Sequence, residues 1–539
     1  MGSLSSIRFL AYATLAFGLA QLWTKWRRVA RSVGNLPGLV TIFAPTTLAS
    51  NLLPRIPLIT KGRSREIETG YADFAVAGCD AFAHRSTWPR PDVMLYVADP
   101  GAIKEITTYR SRFPKPVEQY GVLAFYGNNI VASEGEEWKR YRKISAPAFS
   151  EVSLAICRVR SVAHIHPAKS NNKLVWDESV RILLDMIENV WNRASSVSID
   201  HVLEVTLPIT LFIIAAAGFG RRMSFTEELT VPPGFTMTFK DALRVVSEGV
   251  LIKLAVPKRA LGLTKRFREV DIAFEQLQKH MLHMIRSRKQ SPGEDGGHDL
   301  FSSLLGAAFN DADDEPTLAD DELMGNIFVF LLAGHETTAH SLAFCFALLA
   351  LYPEKQDRLF EHIKSVMSDL DHFPQYQDMA RFTYSMAVFN ETLRIRPPVT
   401  VIPKYSEEDT TLNVKDAEGR TRTIPVPKGT AINIHTPGLH NNPHYWESPS
   451  EFIPERFLGN YPKDAFLPFR PRACIGRRFA ETEAVAILTI LMSQYRVHVK
   501  EDPKYAAETH AETHARLLRS VNGLTTTPID IPLTFERRM

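Results

Sequence analysis

The segment Asp320–Tyr352 constrains this chain more than any other. It reads DDELMGNIFVFLLAGHETTAHSLAFCFALLALY and lies between Pro316 and Pro353. Apolar residues fall on nearly all sides of a helical wheel, so a helix made from it must be buried. Thr317 with Asp320 three residues on predicts a capping box, and Asp320, Asp321 and Glu322 suit the positive end of a helix. About 35 residues at 1.5 Å each make a helix of roughly 50 Å, enough to cross a large domain. Its middle holds Gly334, His335, Glu336, Thr337, Thr338 and His340. A carboxylate amid such apolar neighbours is costly and occurs where it is paired or functional, which argues against a membrane span here.

Charge is nearly balanced over the 539 residues, 63 basic against 60 acidic, so the basic excess expected of a nucleic-acid binder is missing. The Cys residues Cys79, Cys157, Cys345 and Cys474 form no CxxC pair and no disulfide framework, as in a reduced, cytosol-facing protein. At the N-terminus, Phe9–Trp23 is an apolar run without charge. Counted from Leu4, with Arg8 snorkelling, it reaches the roughly 20 residues that span a bilayer. Lys25, Arg27, Arg28 and Arg31 follow, so the positive-inside rule puts the rest of the chain in the cytoplasm. Residues 1–23 are therefore expected as one transmembrane helix. Residues 24–45, basic and then turn-rich at Asn35-Leu36-Pro37-Gly38, are expected as a linker, and 46–539 as one large domain.

Within that domain, residues 50–110 mix short β-rich runs, such as Val93–Val97, with helical ones. From about 130 to 400 the patterns are helical, and the last stretch is turn- and β-rich, with Pro425, Pro427 and Gly429 marking hairpins. This predicts a mainly α fold of α+β type, a large helical region with a smaller β region.

Taken singly, the polar motifs are weak. Glu391 and Arg394 lie at i and i+3, which alone reads as a surface ion pair. Arg456 within PERF is equally unspecific. Trp138 and Arg142 sit in WKRYRK, which reads as a solvated face. Cys474 precedes a helical pattern beginning at Arg477, and a thiolate there is stabilised by backbone N–H groups and the helix dipole, so it is a credible metal ligand.

Taken together they are specific. In chain order come WxxxR, AGHETT on the long buried helix, ExxR, PERF and PRACIG. The arrangement resembles the cytochrome P450 family of haem-thiolate monooxygenases over nearly the whole chain. The resemblance implies the P450 fold, with haem b as cofactor and O2 as co-substrate. It also implies electrons from NADPH through NADPH-cytochrome P450 reductase, and a membrane-bound, endoplasmic-reticulum protein facing the cytosol. Cys474 is then the axial thiolate ligand of the haem iron. Trp138, Arg142 and Arg472 match positions that meet the haem propionates, and Lys404 stands where Arg is usual, as a point charge rather than a fork. Phe469 and Gly476 flank the ligand. Ala333 and Gly334 match the place where the distal helix passes over the haem, where a glycine leaves room for O2. Glu336 and Thr337 match the acid–alcohol pair that delivers protons. Glu391, Arg394 and Arg456 match a structural triad. Trp138–Lys143 with Arg477 and Arg478 make a basic face for an acidic reductase.

The chain departs from the family pattern twice. The haem loop is two residues short between Phe469 and Cys474, with Arg470 in the place of a glycine, where a turn needing positive φ tolerates Arg poorly. Residues 152–169 have neither helical nor strand period and read as an atypical insertion, such as an unspliced short intron leaves. The family positions of the pocket, Phe113–Ile130, Phe212–Leu254, Phe330, Ala333 and Val399–Ile402, are mainly apolar, which suits a lipophilic substrate. The reading is therefore a monooxygenase inserting one oxygen atom of O2 into a lipophilic small molecule. The shortened loop favours the alternative of a catalytically impaired haem- or lipophile-binding protein. Glu336 and Thr337 argue against a haem isomerase.

Overall fold

The computed structural model describes residues 2–149, 171–225, 230–290, 299–309, 317–469 and 474–538. Helix α1 (Gly2–Ser32) leads into strand β1 (Gly38–Phe43), short helices α2 (Leu48–Leu52), α3 (Arg65–Thr69) and α4 (Ala72–Ala77), and the pair β2 (Ala81–Trp88) and β3 (Asp92–Val97). The helical region comprises α5 (Pro100–Thr108), α6 (Gly135–Ser145), α7 (Asn171–Asp185), α8 (Leu203–Ile213), α9 (Phe239–Ala255), α10 (Lys265–Gln290), α11 (Leu300–Phe309), α12 (Asp320–Leu351), α13 (Pro353–Ser368) and α14 (Thr383–Ile395), with β4 (Ser196–Ile199) between α7 and α8. The last part holds β5 (Val401–Tyr405), β6 (Thr410–Lys415), β7 (Thr421–Val426), β8 (Ala431–His435), α15 (Thr436–His440), α16 (Arg477–Gln494), β9 (Tyr495–Val499), α17 (His510–Leu517), β10 (Ser520–Asn522), β11 (Thr526–Pro528) and β12 (Leu533–Arg537). The helix-rich, then strand-rich order is the α+β arrangement expected.

A five-stranded sheet runs in the order β1-β2-β3-β8-β5. β1 is parallel to β2 and β3 to β8, whereas β2–β3 and β8–β5 are antiparallel. Here the linker expectation for 24–45 is corrected. Helix α1 continues to Ser32, Val33 and Leu36 are buried, and β1 is an outer strand of the sheet. Parallel pairing of β1 with a strand some forty residues on is non-local, and local turn residues do not reveal it.

The expected transmembrane helix is corrected as well. No helix among the described residues is long and apolar enough to cross a membrane. The run at Phe9–Trp23 is short, and Ser3, Ser5, Ser6 and Arg8 before it and Thr24 and Lys25 after it dilute α1.

Helix α12 crosses the main hydrophobic core as the sequence predicts. Its cap differs: Ala319 is the N-cap, and Glu322 Oε2 accepts a hydrogen bond from the Ala319 N–H at 2.9 Å. The loop before α6 lies on its first turns. Ile130 N donates to Asn326 Oδ1 at 3.0 Å, and a Cβ on Gly325 would stand 2.3 Å from the Gly127 carbonyl oxygen, so only glycine permits this approach. The stretch 152–169 lies outside the described residues, yet its flanks meet, because Asn171 Nδ2 donates to the Ala148 carbonyl at 2.6 Å.

The Glu391–Arg394 pair is no surface ion pair. Both side chains are fully buried, and Arg394 Nε and Nη2 donate to the two carboxylate oxygens at 2.7 and 2.8 Å. The remaining guanidinium donors reach the carbonyls of His440, Pro449 and Glu451 at 2.9, 2.7 and 3.0 Å. Glu391 Oε1 also accepts from Ile453 N at 2.9 Å and Arg456 Nε at 3.4 Å. A fully hydrogen-bonded pair of this kind ties α14 to the segment 440–456, and removal of one partner leaves a buried charge uncompensated. Arg394→Ala is expected to lower unfolding stability by about 3–5 kcal/mol, and Arg456→Ala by much less. Equal denaturant midpoints for the parent and Arg394→Ala would contradict this account.

Candidate active site

Between Leu323 and Leu349, every residue of α12 is buried except Ala333, Gly334 and Thr337. Their spacing of i, i+1 and i+4 puts them on one face. An opening halfway along a core helix must be internal, and it lies where the sequence places the haem. A Cβ on Gly334 would stand 3.0 Å from Ile214 Cγ1, so the glycine lets the turn after α8 pack against α12. Thr210 on α8 donates from Oγ1 to the His335 carbonyl at 3.1 Å, at the same level.

Thr337 Oγ1 donates to the Ala333 carbonyl at 2.8 Å. Its proton is thus held by the helix, and the hydroxyl offers lone pairs to other partners. Glu336 is buried, and Ser247 Oγ on α9 donates to its Oε1 at 3.0 Å. Burial pushes the Glu336 carboxyl up to about 7. The Ser247 hydrogen bond opposes this and the Glu248 charge adds to it. His335 is buried with Nδ1 2.8 Å from the Leu331 carbonyl, and burial pushes it down to about 4, so a neutral ring donates there. It is a packing and hydrogen-bonding residue, as the sequence suggests.

Cys474 precedes α16, whose N-cap is Gly476, and its carbonyl accepts from Arg477 N at 3.3 Å. The thiol is exposed, yet burial pushes its pKa up, against the Gly476 N–H and the charges of Arg142 and Arg477. An atom both accessible and densely surrounded faces an internal opening. Phe149 joins this opening to α12. Its ring centroid lies 5.7 Å from that of Phe330 and 6.4 Å from that of Phe479, and a Cβ on Gly476 would come within 3.8 Å of its ring. The structure therefore brings Cys474 and Gly476 to the level of α12 that carries Phe330, Ala333 and Gly334.

Trp138 is buried, with the guanidinium groups of Arg110 and Arg142 at 5.1 and 5.5 Å from its ring, and Tyr141 is buried too, so WKRYRK is only partly a solvated face. The Arg142 charge acts on Cys474, which places the WxxxR motif at the same opening. Lys404 is buried on β5, paired in register with Ile432 of β8. Phe469 ends a short 3-10 turn, and Arg472 lies outside the described residues. The basic face is partly neutralised. Lys139 pairs with Glu136, Arg140 with Glu322, and Arg477 and Arg478 with Glu481. Sequence reasoning missed Arg110 and Thr210, and it held Ile214 and Ser247 only within the broad pocket range Phe212–Leu254, without their roles; none of the four belongs to a motif.

An accessible thiol at a helix N-terminus, linked through Phe149 to the core helix that carries a three-residue window, with cations around a tryptophan, suits a flat, anionic, iron-bearing macrocycle. Comparison with known proteins agrees. Residues 82–518 match the Cytochrome P450 family. Cytochrome P450 monooxygenase 124 of Postia placenta is 45% identical over 537 residues, which is 99% of this chain and 100% of the relative. A bifunctional cytochrome P450/NADPH–P450 reductase of Bacillus cereus is 28% identical over 419 residues, 75% of this chain and 36% of that protein. The solved haem domain of cytochrome P450DA superposes with a TM-score of 0.69 at 21% identity, covering 89% of this chain and 94% of that one, which shows the fold. The chain belongs to the cytochrome P450 family, and it is a monooxygenase that uses haem b, O2 and NADPH electrons delivered by a reductase.

Proposed function

We propose that this enzyme hydroxylates, or similarly oxidises, a lipophilic small molecule of secondary metabolism. The observation that carries this reading is the accessible Cys474 thiol, linked through Phe149 to the helix that bears the Ala333–Gly334–Thr337 window. When bound, the haem supplies the iron at which O2 is activated. Cys474 would be its thiolate ligand, and Trp138, Arg142 and Lys404, with Arg472 by family position, would hold its carboxylates. Phe212 and Phe330, both buried in the core that α12 crosses, keep the surroundings of that helix apolar.

The protein's own groups manage protons. Glu336 Oε1, linked to Ser247 Oγ, holds a proton below about pH 7 and releases it above. Thr337 Oγ1, its own proton committed to Ala333, accepts a hydrogen bond at the window. NADPH-cytochrome P450 reductase is the electron donor we propose. The Bacillus cereus relative, whose name joins both activities, supports it, as do the exposed Lys143 and the cations near Cys474. The short loop before Cys474 favours a second reading, an impaired protein that binds haem or a lipophile without turnover.

Carbon monoxide added to the reduced protein separates the two. A red-shifted, thiolate-type band is expected, and its absence would favour the impaired protein. Product formed per NADPH is then expected to fall as pH rises through about 7, because a carboxyl with a raised pKa loses its proton there. Glu336→Gln should flatten this profile, and Ser247→Ala should move its midpoint upward by removing a donor to the charged form. Thr337→Ala should consume NADPH without matching product. A Glu336→Gln profile identical to the parent's would exclude Glu336.

For localisation we propose the cytosolic face of the endoplasmic reticulum, with α1 lying in the interface rather than across the bilayer. Phe9, Tyr12, Phe17 and Trp23 are exposed on α1, Trp23 stacks on Trp26 at 5.5 Å, and Arg27 lies 4.9 Å from the Trp23 ring. Alkaline carbonate is expected to release the protein from membranes that retain it in neutral buffer, and retention in carbonate would refute an interfacial helix.

A further inference from the structure

The loop after α2 folds back on itself before α3. Ile56 N and Thr60 N donate to each other's carbonyls at 3.2 and 2.9 Å, and Thr60 Oγ1 donates to the Pro54 carbonyl at 2.6 Å. The turn is fastened to β1, because Ile42 N and Phe43 N donate to the carbonyls of Leu58 and Ile59 at 2.8 and 3.0 Å. Gly62, at φ +75°, then passes so close to Arg55 that a Cβ would stand 2.9 Å from the Arg55 nitrogen. Arg55 and Arg63 are thereby brought to one cavity of about 450 Å³, which shares no residue with the site described above. Four cations line it, Arg55, Lys61, Arg63 and Arg65, with one carboxylate, that of Glu68. Two of the cations are paired with acids that do not line the cavity. Lys61 Nζ reaches Glu66 Oε1 at 2.6 Å, and Arg65 Nη2 and Nε donate to Asp73 at 2.5 and 2.9 Å. Arg55 and Arg63 have no side-chain hydrogen bond or ion pair among the described residues. Arg63 is half-buried all the same, and burial pushes its pKa down. A cation taken partly out of water without a counter-charge costs stability unless something else supplies that charge.

We propose that this cavity is a binding site for the anionic head group, a phosphate or carboxylate, of an amphiphile. It stands independently of the reading of the haem centre. Two guanidinium groups in one cavity offer forked donors that a phosphate or carboxylate accepts in pairs. Leu52 and Leu53, exposed at the same cavity, and Leu58, exposed on the turn, offer a surface to an apolar chain. Ser64, which also lines the cavity, accepts through Oγ from Asn522 N at 3.2 Å, and Asn522 Nδ2 donates to Thr400 Oγ1 at 2.7 Å. Thr400 lies within Val399–Ile402, so the cavity is joined to a segment whose family position is the substrate pocket. On the other side the turn is bonded to β1. That strand pairs with β2, whose Arg85 guanidinium lies 5.3 Å from the ring of Trp26 on α1. The head group therefore has two sources of one chemistry, a bilayer lipid beside α1 or a free amphiphilic acid on its way to the pocket.

Calorimetric titration of the haem-loaded full chain with hexyl phosphate, hexanoate and the neutral hexanol tests this. Both anions are expected to bind, more weakly as salt rises, and hexanol far more weakly than either. Arg55→Gln and Arg63→Gln should each weaken anion binding about tenfold or more, because hydrogen bonds to a charged group are lost. Removing two charges elsewhere, at the exposed Lys364 and Arg519 by substitution with Gln, should leave it unchanged. Without ligand, Arg63→Gln should keep or raise the unfolding midpoint, since it removes an uncompensated charge. A lowered midpoint would assign Arg63 to the fold and overturn the proposal. So would equal affinity for hexanol, unchanged affinity in both arginine variants, or an equal loss when Lys364 and Arg519 are replaced. Flotation with phosphatidylcholine vesicles containing phosphatidic acid then identifies the source. Weaker vesicle binding by the Arg55→Gln, Arg63→Gln double variant supports a bilayer lipid. Unchanged vesicle binding, with hexanoate binding lost, supports a free acid.

Discussion

The Glu391–Arg394 pair is the constraint on which the rest leans. Two charges removed from water are tolerated only when each donor and acceptor is met, and here the guanidinium serves one carboxylate and three carbonyls at once. The geometry leaves no slack. His440, Pro449 and Glu451 are held to α14 through their carbonyls, and Ile453 and Arg456 are held to the carboxylate. A stretch with little regular structure thus acquires a fixed shape from a single side-chain pair. That stretch carries Trp446, which packs against Phe457 and Phe466 further along the chain toward Cys474.

The other wall of the site depends on close helix contact rather than charge. Ile214 fills the space a side chain at position 334 would take, and Thr210 bonds the carbonyl of His335. Helix α12 is thereby fixed against α8 at the level of its window. Helix α9 adds Ser247 to Glu336, so the carboxyl beside the window is joined to an element more than eighty positions away in the chain. Burial and one hydroxyl together set that carboxyl near neutrality, where a small change in surroundings alters its charge.

What could be read in the sequence follows from how each feature is encoded. Helix α12 was legible because burial on all sides leaves an unbroken apolar run, and Cys474 stood out because motif order singled it out among the cysteines. The Glu391–Arg394 spacing alone pointed to solvent, and only the family pattern moved it to the core. The N-cap was misplaced by two residues because Glu322, not Asp320, folds back on the first turn. Val33 and Leu36 looked like linker because their partners lie in strands paired across the chain. The N-terminal run looked long enough to span because its apolar residues were weighed without the serines and the arginine around them. Arg110 and Thr210 could not be found at all, and Ser247 and Ile214 fell only within the broad range Phe212–Leu254, since each acts through a contact between distant residues that no local pattern records.

The burial profile of α12 divides its tolerance to change in two. Over most of its length a substitution alters packing on every side, so variants there differ chiefly in whether the protein persists in the cell. At Ala333 and Thr337 a side chain can change without disturbing the core, so new reactivity can arise at little cost to folding. Gly334 belongs to both groups, because its backbone is at the window while Ile214 stands behind it. Inherited variation that reshapes the chemistry of this enzyme should therefore concentrate on one turn of one helix, and random variation along the rest of that helix should be removed as loss of protein.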